Sequence, residues 1–299
     1  MNTYIINMLS EAITPITHMA GVSGNESILN REKVLYNGTV VSVPTLSGNA
    51  LRHNIFRAPG VQYLLKEYEL ENKVSITQAN FLSNGGRLFE SSSTEDLSML
   101  KEMREISPLL KLLGGSLPYQ VVAGTMSVFS GVLVCEENKK IIEQLIGEEC
   151  IPKEKLLSSE HFISKYQYTR GDASKAPEAS TYIKDDVRGE SNLMIYSGEN
   201  IIKGALFAHK VTICNASELE LGAALNCIDM WQKQGGKIGG STRIGHGSLS
   251  SSVLISSIDG KTDYDCDDLI KAYQTYAKEK KEAFIKWLKK AIPDKESLI

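Results

Sequence analysis

Apolar and polar positions change their spacing several times along the chain, and each change predicts an element. Residues 3 to 19 mix apolar and polar positions with β-branched Ile and Thr, the pattern of an opening strand. Pro15 limits its pairing, and the chain is expected to run out into a loop from Gly21 to Asn30. The alternation from Gly38 to Pro44 predicts a second extended piece, after which Ser47 or Asn49 can cap a helix from Ala50 to Tyr68. Leu51, Ile55, Leu64 and Leu65 give that helix an apolar face, and Pro59-Gly60 is expected to interrupt it. Residues 95 to 113 read as one or two helices, broken at Ser107-Pro108 and ended by Gly114-Gly115.

Gln120 to Val134 is β-rich, and the polar stretch from Ser158 to Asn192 has too few aliphatics for a core and predicts a projecting hairpin or loop insertion. Gly204 to Ile213 alternates as a strand, Ser217 to Gln234 carries helical spacing, and Ser248 to Ser257 alternates in part as a last strand. Strand, helix, glycine loop and strand make half of a ferredoxin-like unit, with the N-terminal strand and helix as candidates for the other half. Asp265 to Ile292 is expected to be one amphipathic docking helix, with acids at its start and lysines at its end as the helix dipole prefers. An α+β class follows.

Composition narrows the function classes. The 299 residues are 42% hydrophobic and 23% charged, ordinary for a chain that folds throughout. The first ten residues lack a secretory pattern and no apolar run reaches membrane-spanning length, so a cytoplasmic location with no membrane contact is expected. Cys135, Cys150, Cys214, Cys227 and Cys266 form no close pair, which argues against a disulfide framework or zinc knuckle and for buried or partly buried thiols. A net charge of -3 opposes bulk electrostatic gripping of nucleic acid. The distribution changes that picture: no Asp or Glu occurs from Lys33 to Lys66 or from Met230 to Ile258. Brought together, these windows would form a phosphate-compatible surface on an acidic protein.

The second window contains Gly235-Gly236-Lys237-Ile238-Gly239-Gly240-Ser241-Thr242-Arg243-Ile244-Gly245-His246-Gly247. Its glycines remove side chains that would keep backbone amides from a polyanion, and Lys237, Arg243 and His246 add charge or donors. The spacing matches neither a P-loop nor a dinucleotide fingerprint, because the helix precedes the loop. A flexible turn entering a strand fits these residues equally well.

The segment from Leu219 through Leu249, a helix followed by GGKIGGSTRIGHGSL, resembles the C-terminal signature of the RAMP superfamily of CRISPR proteins. TPITHMAG (14–21), VPTLSGNALRHNIFR (43–57) and SPLLKLLGGSLPYQVVAGTMSV (107–128) resemble its RNA-coating backbone branch, and NFLSNGGRLF (80–89) is most similar to the type IV effector backbone subunit. The resemblance implies a modified RNA-recognition fold with thumb and finger insertions. Residues 1–65 and 196–260 would form the palm, 66–157 a mainly helical finger with a β-rich end, 158–195 the thumb, and 261–299 the docking helix.

It also implies roles. Ser47, Asn49, Arg52, His53 and Arg57 would lie beside a guide RNA, and Lys237, Arg243, His246 and Ser241, with the glycines at 235, 236, 239, 240, 245 and 247, would approach from the other side. Tyr166, Tyr168 and Arg170 would be the thumb that inserts between nucleotides. Implied partners are crRNA, target DNA or RNA reached by base pairing, further copies of the chain, other effector subunits and a helicase; no metal or organic cofactor is called for. Type III relatives cut RNA with an aspartate after the first strand, but Thr14 to Leu51 holds no Asp, so a non-catalytic subunit is expected. The alternatives are a RAMP endoribonuclease using His18 or His53, and an assembly protein free of nucleic acid. His161 and His209 are read as structural or solvated.

Overall fold

The computed structural model describes residues 2–24, 26–87, 96–117, 120–147, 151–169 and 195–293. β1 (Asn2–Ala12) alternates buried and part-exposed side chains along its length. Where a loop is expected over 21–30, β2 (Met19–Ser23) and β3 (Glu26–Leu29) pair as a hairpin. The Gly and Ser content of that stretch hides the strands because one hairpin face, with Val22 and Ile28, is open to solvent. A second hairpin joins β4 (Arg31–Tyr36) to β5 (Thr39–Leu46).

The next helix runs without the expected interruption. α1 (Gly48–Leu51) passes into a π segment (Arg52–Arg57) and then α2 (Ala58–Glu67). Pro59 falls at the start of α2, immediately after a turn in which Ala58 N–H bonds five residues back to His53, so its missing donor is tolerated. Gly60 serves packing: a Cβ there would lie 2.8 Å from Cys227 Sγ and from Leu109 Cδ1. α3 (Ile76–Asn84), α4 (Leu97–Ile106) and α5 (Pro108–Leu113) follow, with Ser107 accepting the Leu110 N–H as the cap that separates the last two.

β6 (Gly114–Leu117) and β7 (Gln120–Ala123) form a small hairpin, while β8 (Met126–Val128) and β9 (Gly131–Leu133) enter the main sheet. After α6 (Lys139–Ile146) come β10 (Ile163–Thr169) and β11 (Ile195–Ile201), paired antiparallel. β12 (Leu206–Ala216), α7 (Glu218–Lys233), β13 (Leu249–Ser257), α8 (Cys266–Glu279) and α9 (Lys281–Ala291) complete the described order. The expected single C-terminal helix is therefore two, turning at Lys280: α8 buries Tyr273 and Ala277, and α9 buries Phe284, Trp287 and Leu288.

The main sheet has seven strands in the order β13-β1-β12-β9-β5-β4, with β8 also on β12; a second sheet runs β10-β11-β3-β2. β1 is antiparallel to both neighbours, placing Ile6 between Val211 and Ile255. α7 lies in the core, and its start is fixed by a capping box in which Ser217 N–H donates to Glu220 at 2.6 Å. Glu220 also accepts from Lys111 at 2.8 Å, a largely buried pair that ties α5 to α7. No helix among the described residues is long and apolar enough to cross a membrane. Cys135 and Cys227 are buried as expected, whereas Cys214 and Cys266 are exposed, a correction that follows from their places near a strand end and at a helix start.

His209 sits fully buried in β12, its Nε2 paired with Ser10 Oγ at 2.8 Å, and Ser10 in turn meets Ser251 Oγ at 2.5 Å. Burial pushes its pKa down to about 4. The unfolded chain takes up a proton near pH 6.5 and the folded chain only near 4, so stability is full above 6.5 and falls as pH drops through this window. The loss is on the order of 3 kcal/mol. Urea unfolding at pH 7, 5.5 and 4.5 is expected to show that decline in the parent and a shallower one in His209→Gln; identical slopes would remove His209 from the explanation.

Candidate nucleic-acid interface

The glycine-rich loop leaves α7 through a turn held by three bonds. Gly235 N–H reaches Gln232 O at 2.9 Å, Gly236 N–H reaches Trp231 O at 2.9 Å, and the Trp231 indole donates to Lys237 O at 2.9 Å. The loop then packs against residues 14–18, which leave β1. Gly240 N–H donates to Thr17 O at 2.7 Å, Gly247 N–H to Pro15 O at 2.8 Å, and Ser248 N–H to Thr14 Oγ1 at 2.9 Å.

The glycines are explained by this closeness. A Cβ at Gly236 would lie 1.9 Å from Leu249 O, and one at Gly239 would lie 2.5 Å from Thr17 O; both have positive φ. This corrects the expected amide cradle. The amides of Gly235, Gly236, Gly240, Gly245 and Gly247 all bond to carbonyls of the chain itself, so they are not displayed to a phosphate. Outward-facing chemistry belongs to side chains: Lys237, Thr242 and Arg243 are exposed, and Ser241 is partly so. His246 is half-buried, with Nδ1 at 2.7 Å from Thr17 Oγ1.

The N-terminal window meets the same segment. Ser47 caps α1 by accepting the Ala50 N–H at 3.3 Å, and its own N–H donates to His18 Nε2 at 3.1 Å. That bond needs an unprotonated Nε2, and burial lowers the His18 pKa in the same sense. Asn49 and His53 are exposed on the first turns of the helix.

Arg52 and Arg57 turn elsewhere, and Arg57 is withdrawn from the interface. Its guanidinium is buried, at 6% exposure, and donates to Leu82 O at 3.0 Å and Gly114 O at 3.2 Å. Arg52 Nη2 donates to Leu113 O. The two cations thus close the carbonyl end of α5, where positive charge opposes the unpaired C=O groups. Burial and the neighbouring Arg52 push the Arg57 pKa down to about 10.

Tyr166 and Tyr168 lie on one face of β10, and across the ribbon stands Tyr196, which the sequence reading does not single out. Tyr168 and Tyr196 stack with centroids 5.4 Å apart, Tyr166 follows at 6.3 Å, and His246 meets the Tyr166 ring edge-on at 5.5 Å. The aromatic row therefore adjoins the glycine-rich loop. Arg170 lies outside the described residues.

The two acid-free windows touch where Gln234 Nε2 donates to Gln62 Oε1 at 2.8 Å. A cleft of about 600 Å³ opens there, but Glu67, Glu69 and Asp229 line it beside Lys66 and Lys233, which suits no polyanion. Among the described residues, no group of three His, Cys, Asp or Glu side chains is placed to hold a metal ion.

No protein-family model matches the chain, and no curated protein matches it. The fold does have counterparts among solved structures. A chain of a type IV-B CRISPR complex is similar at a TM-score of 0.57, covering 83% of this chain and 90% of that one at 16% identity. Csc2 of Thermofilum pendens aligns at a TM-score of 0.42 over 96% of this chain and 77% of its own, at 14% identity. The likeness to the type IV-B chain is one of fold.

The different settings of the arginines give opposite expectations. Arg57→Ala strands carbonyls of α3 and β6 in the core and is expected to cost about 2–4 kcal/mol. Arg243→Ala, at an exposed turn, is expected to stay within about 0.5 kcal/mol of the parent. Denaturant midpoints measured side by side check both, and a mild Arg57→Ala would return that residue to the surface.

Proposed function

We propose that the chain is a non-catalytic backbone subunit of a class 1 CRISPR effector complex, of type IV, that holds guide RNA extended and lies along it with further copies of itself. The observation that carries this reading is the outward face of the glycine-rich loop. Lys237 and Arg243 are exposed within a stretch that has no acid from Met230 to Ile258, and a row of aromatic rings stands beside them. Cations on a well-anchored loop suit a phosphate backbone, and rings suit bases. The shared fold with a chain of a type IV-B CRISPR complex supports the same reading.

Strand order lends further support. β13-β1-β12-β8 are mutually antiparallel, with the α1–α2 helix and α7 as the two helices between them in sequence. We read these as the ferredoxin-like palm and the β10–β11 ribbon as the thumb base. Guide pairing then selects target DNA or RNA while the protein grips backbone. Other effector subunits and a helicase complete the assembly. The non-catalytic part rests on the absence of Asp from Thr14 to Leu51 and on the engagement of His18 with Ser47.

Purified with a CRISPR array supplying its guide, the chain is expected to carry RNA, read by its ultraviolet absorbance ratio. Replacing Lys237 and Arg243 together by Ala is expected to flatten the slope of log affinity against log salt by about 1.4, from roughly 0.7 per single-strand phosphate contact. An unchanged slope, or an oligomer that assembles without nucleic acid, sinks the reading. Regular metal-dependent cuts in a complementary target would overturn its non-catalytic part.

A further inference from the structure

Aromatic side chains are seldom left stacked on an open strand pair, and the β10–β11 ribbon carries three. Antiparallel register sets Tyr166 opposite Gly198 and Tyr168 opposite Tyr196, so all four positions share one face of the ribbon. Gly198 gives Tyr166 room to lie across its neighbour: a Cβ there would be 2.8 Å from the Tyr166 ring. The Tyr166 and Tyr168 planes are within 6° of each other, and those of Tyr168 and Tyr196 within 15°. Tyr168 remains 49% exposed.

The row is fixed at one end. His246 abuts Tyr166 edge-on and is tied by Nδ1 to Thr17, while Thr17 is bonded through its carbonyl to Gly240. Arg243, three residues before His246 in the same loop, supplies an exposed cation beside the row. Parallel rings with open faces, a rigid anchor and a nearby cation match how single strands are bound without reading sequence: bases stack and phosphates pair with charge.

We infer that Tyr166, Tyr168 and Tyr196 form a stacking platform for unpaired bases of single-stranded RNA, with Tyr168 as its exposed contact and Arg243 on the adjoining phosphate. The inference rests on the RNA-binding reading and adds to it a contact with bases that salt does not screen. The rings act as a flat platform at the root of the ribbon, not as a wedge between paired bases. Because every base has a π-face, the platform is tolerant of sequence.

The test uses the full chain with fluorescent oligoribonucleotides, one intact and one carrying consecutive abasic sites. Tyr168→Ala with Tyr196→Ala is expected to weaken binding of the intact strand roughly ten- to a hundredfold, with the salt slope unchanged. Tyr168→Phe is expected to bind as the parent does, since stacking needs the ring and not the hydroxyl. The abasic strand is expected to bind parent and double-Ala variant alike. If the parent binds RNA in a Lys237- and Arg243-dependent way but the double-Ala variant is unchanged, the platform is wrong and the RNA reading stands. An equal loss on both strands would also overturn the platform. A parent that binds neither strand overturns both inferences. Circular dichroism melting of each variant keeps misfolding from passing as loss of binding.

Discussion

Residues 13 to 18 have backbone groups that must all find partners once β1 ends, and the partners they find hold four parts of the molecule together. Ile13 N–H bonds to Ser248 O at the root of β13. Ile16 exchanges both of its backbone bonds with Ile201 of β11, each at 2.9 Å. Pro15 and Thr17 carbonyls take the amides of Gly247 and Gly240, and the His18 ring takes the Ser47 N–H at the start of the long helix. Palm strand, glycine loop, projecting ribbon and helix cap thus share one short connection. Any side chain at Gly236, Gly239 or Gly247 would push part of this arrangement apart by colliding with backbone, which yields far less than a flexible side chain.

That constraint also explains what could be read in advance. The α7 helix was legible because its signals are local: Ser217 and Glu220 three residues apart, then apolar positions at helical spacing. The Ser107-Pro108 break was legible for the same reason. The glycine run was visible as something special, but its purpose depends on contacts with residues more than two hundred positions away. From sequence, a glycine whose amide faces a ligand and one whose amide faces Thr17 are the same letter. The hairpin of β2 and β3 was hidden because strands with one wet face carry polar residues, and Gly21 and Ser23 imitate a loop.

Arg57 and Pro59-Gly60 show a different kind of blindness. The arginine lies in a stretch rich in candidate phosphate contacts, yet the π turn swings it under α5, where three carbonyls compete for it. Nothing in a pattern of letters marks a π turn. Gly60, read as a break, is the point at which α2 approaches α5 and α7 most closely, and helix continuity there is bought with tertiary contact. Tyr196 escaped notice because its partner Tyr168 is 28 positions distant and neither tyrosine is unusual alone.

Net charge is the remaining tension, since a chain at -3 is asked to hold a polyanion. The acids do not act from everywhere at once. Glu220 is neutralised by Lys111, Glu199 by Arg31 at 3.0 Å, and Glu69 and Glu102 by Lys281 and Lys290 of the C-terminal helix. Exposed charges lose most of their reach beyond a screening length of about 8 Å at physiological salt. What a phosphate meets at the loop is therefore the local sign, set by Lys237 and Arg243 in a stretch free of acids. Whole-chain acidity in that arrangement limits adhesion elsewhere on the surface and leaves the loop as the preferred landing point, so the same imbalance that argues against indiscriminate nucleic-acid binding favours a directional one.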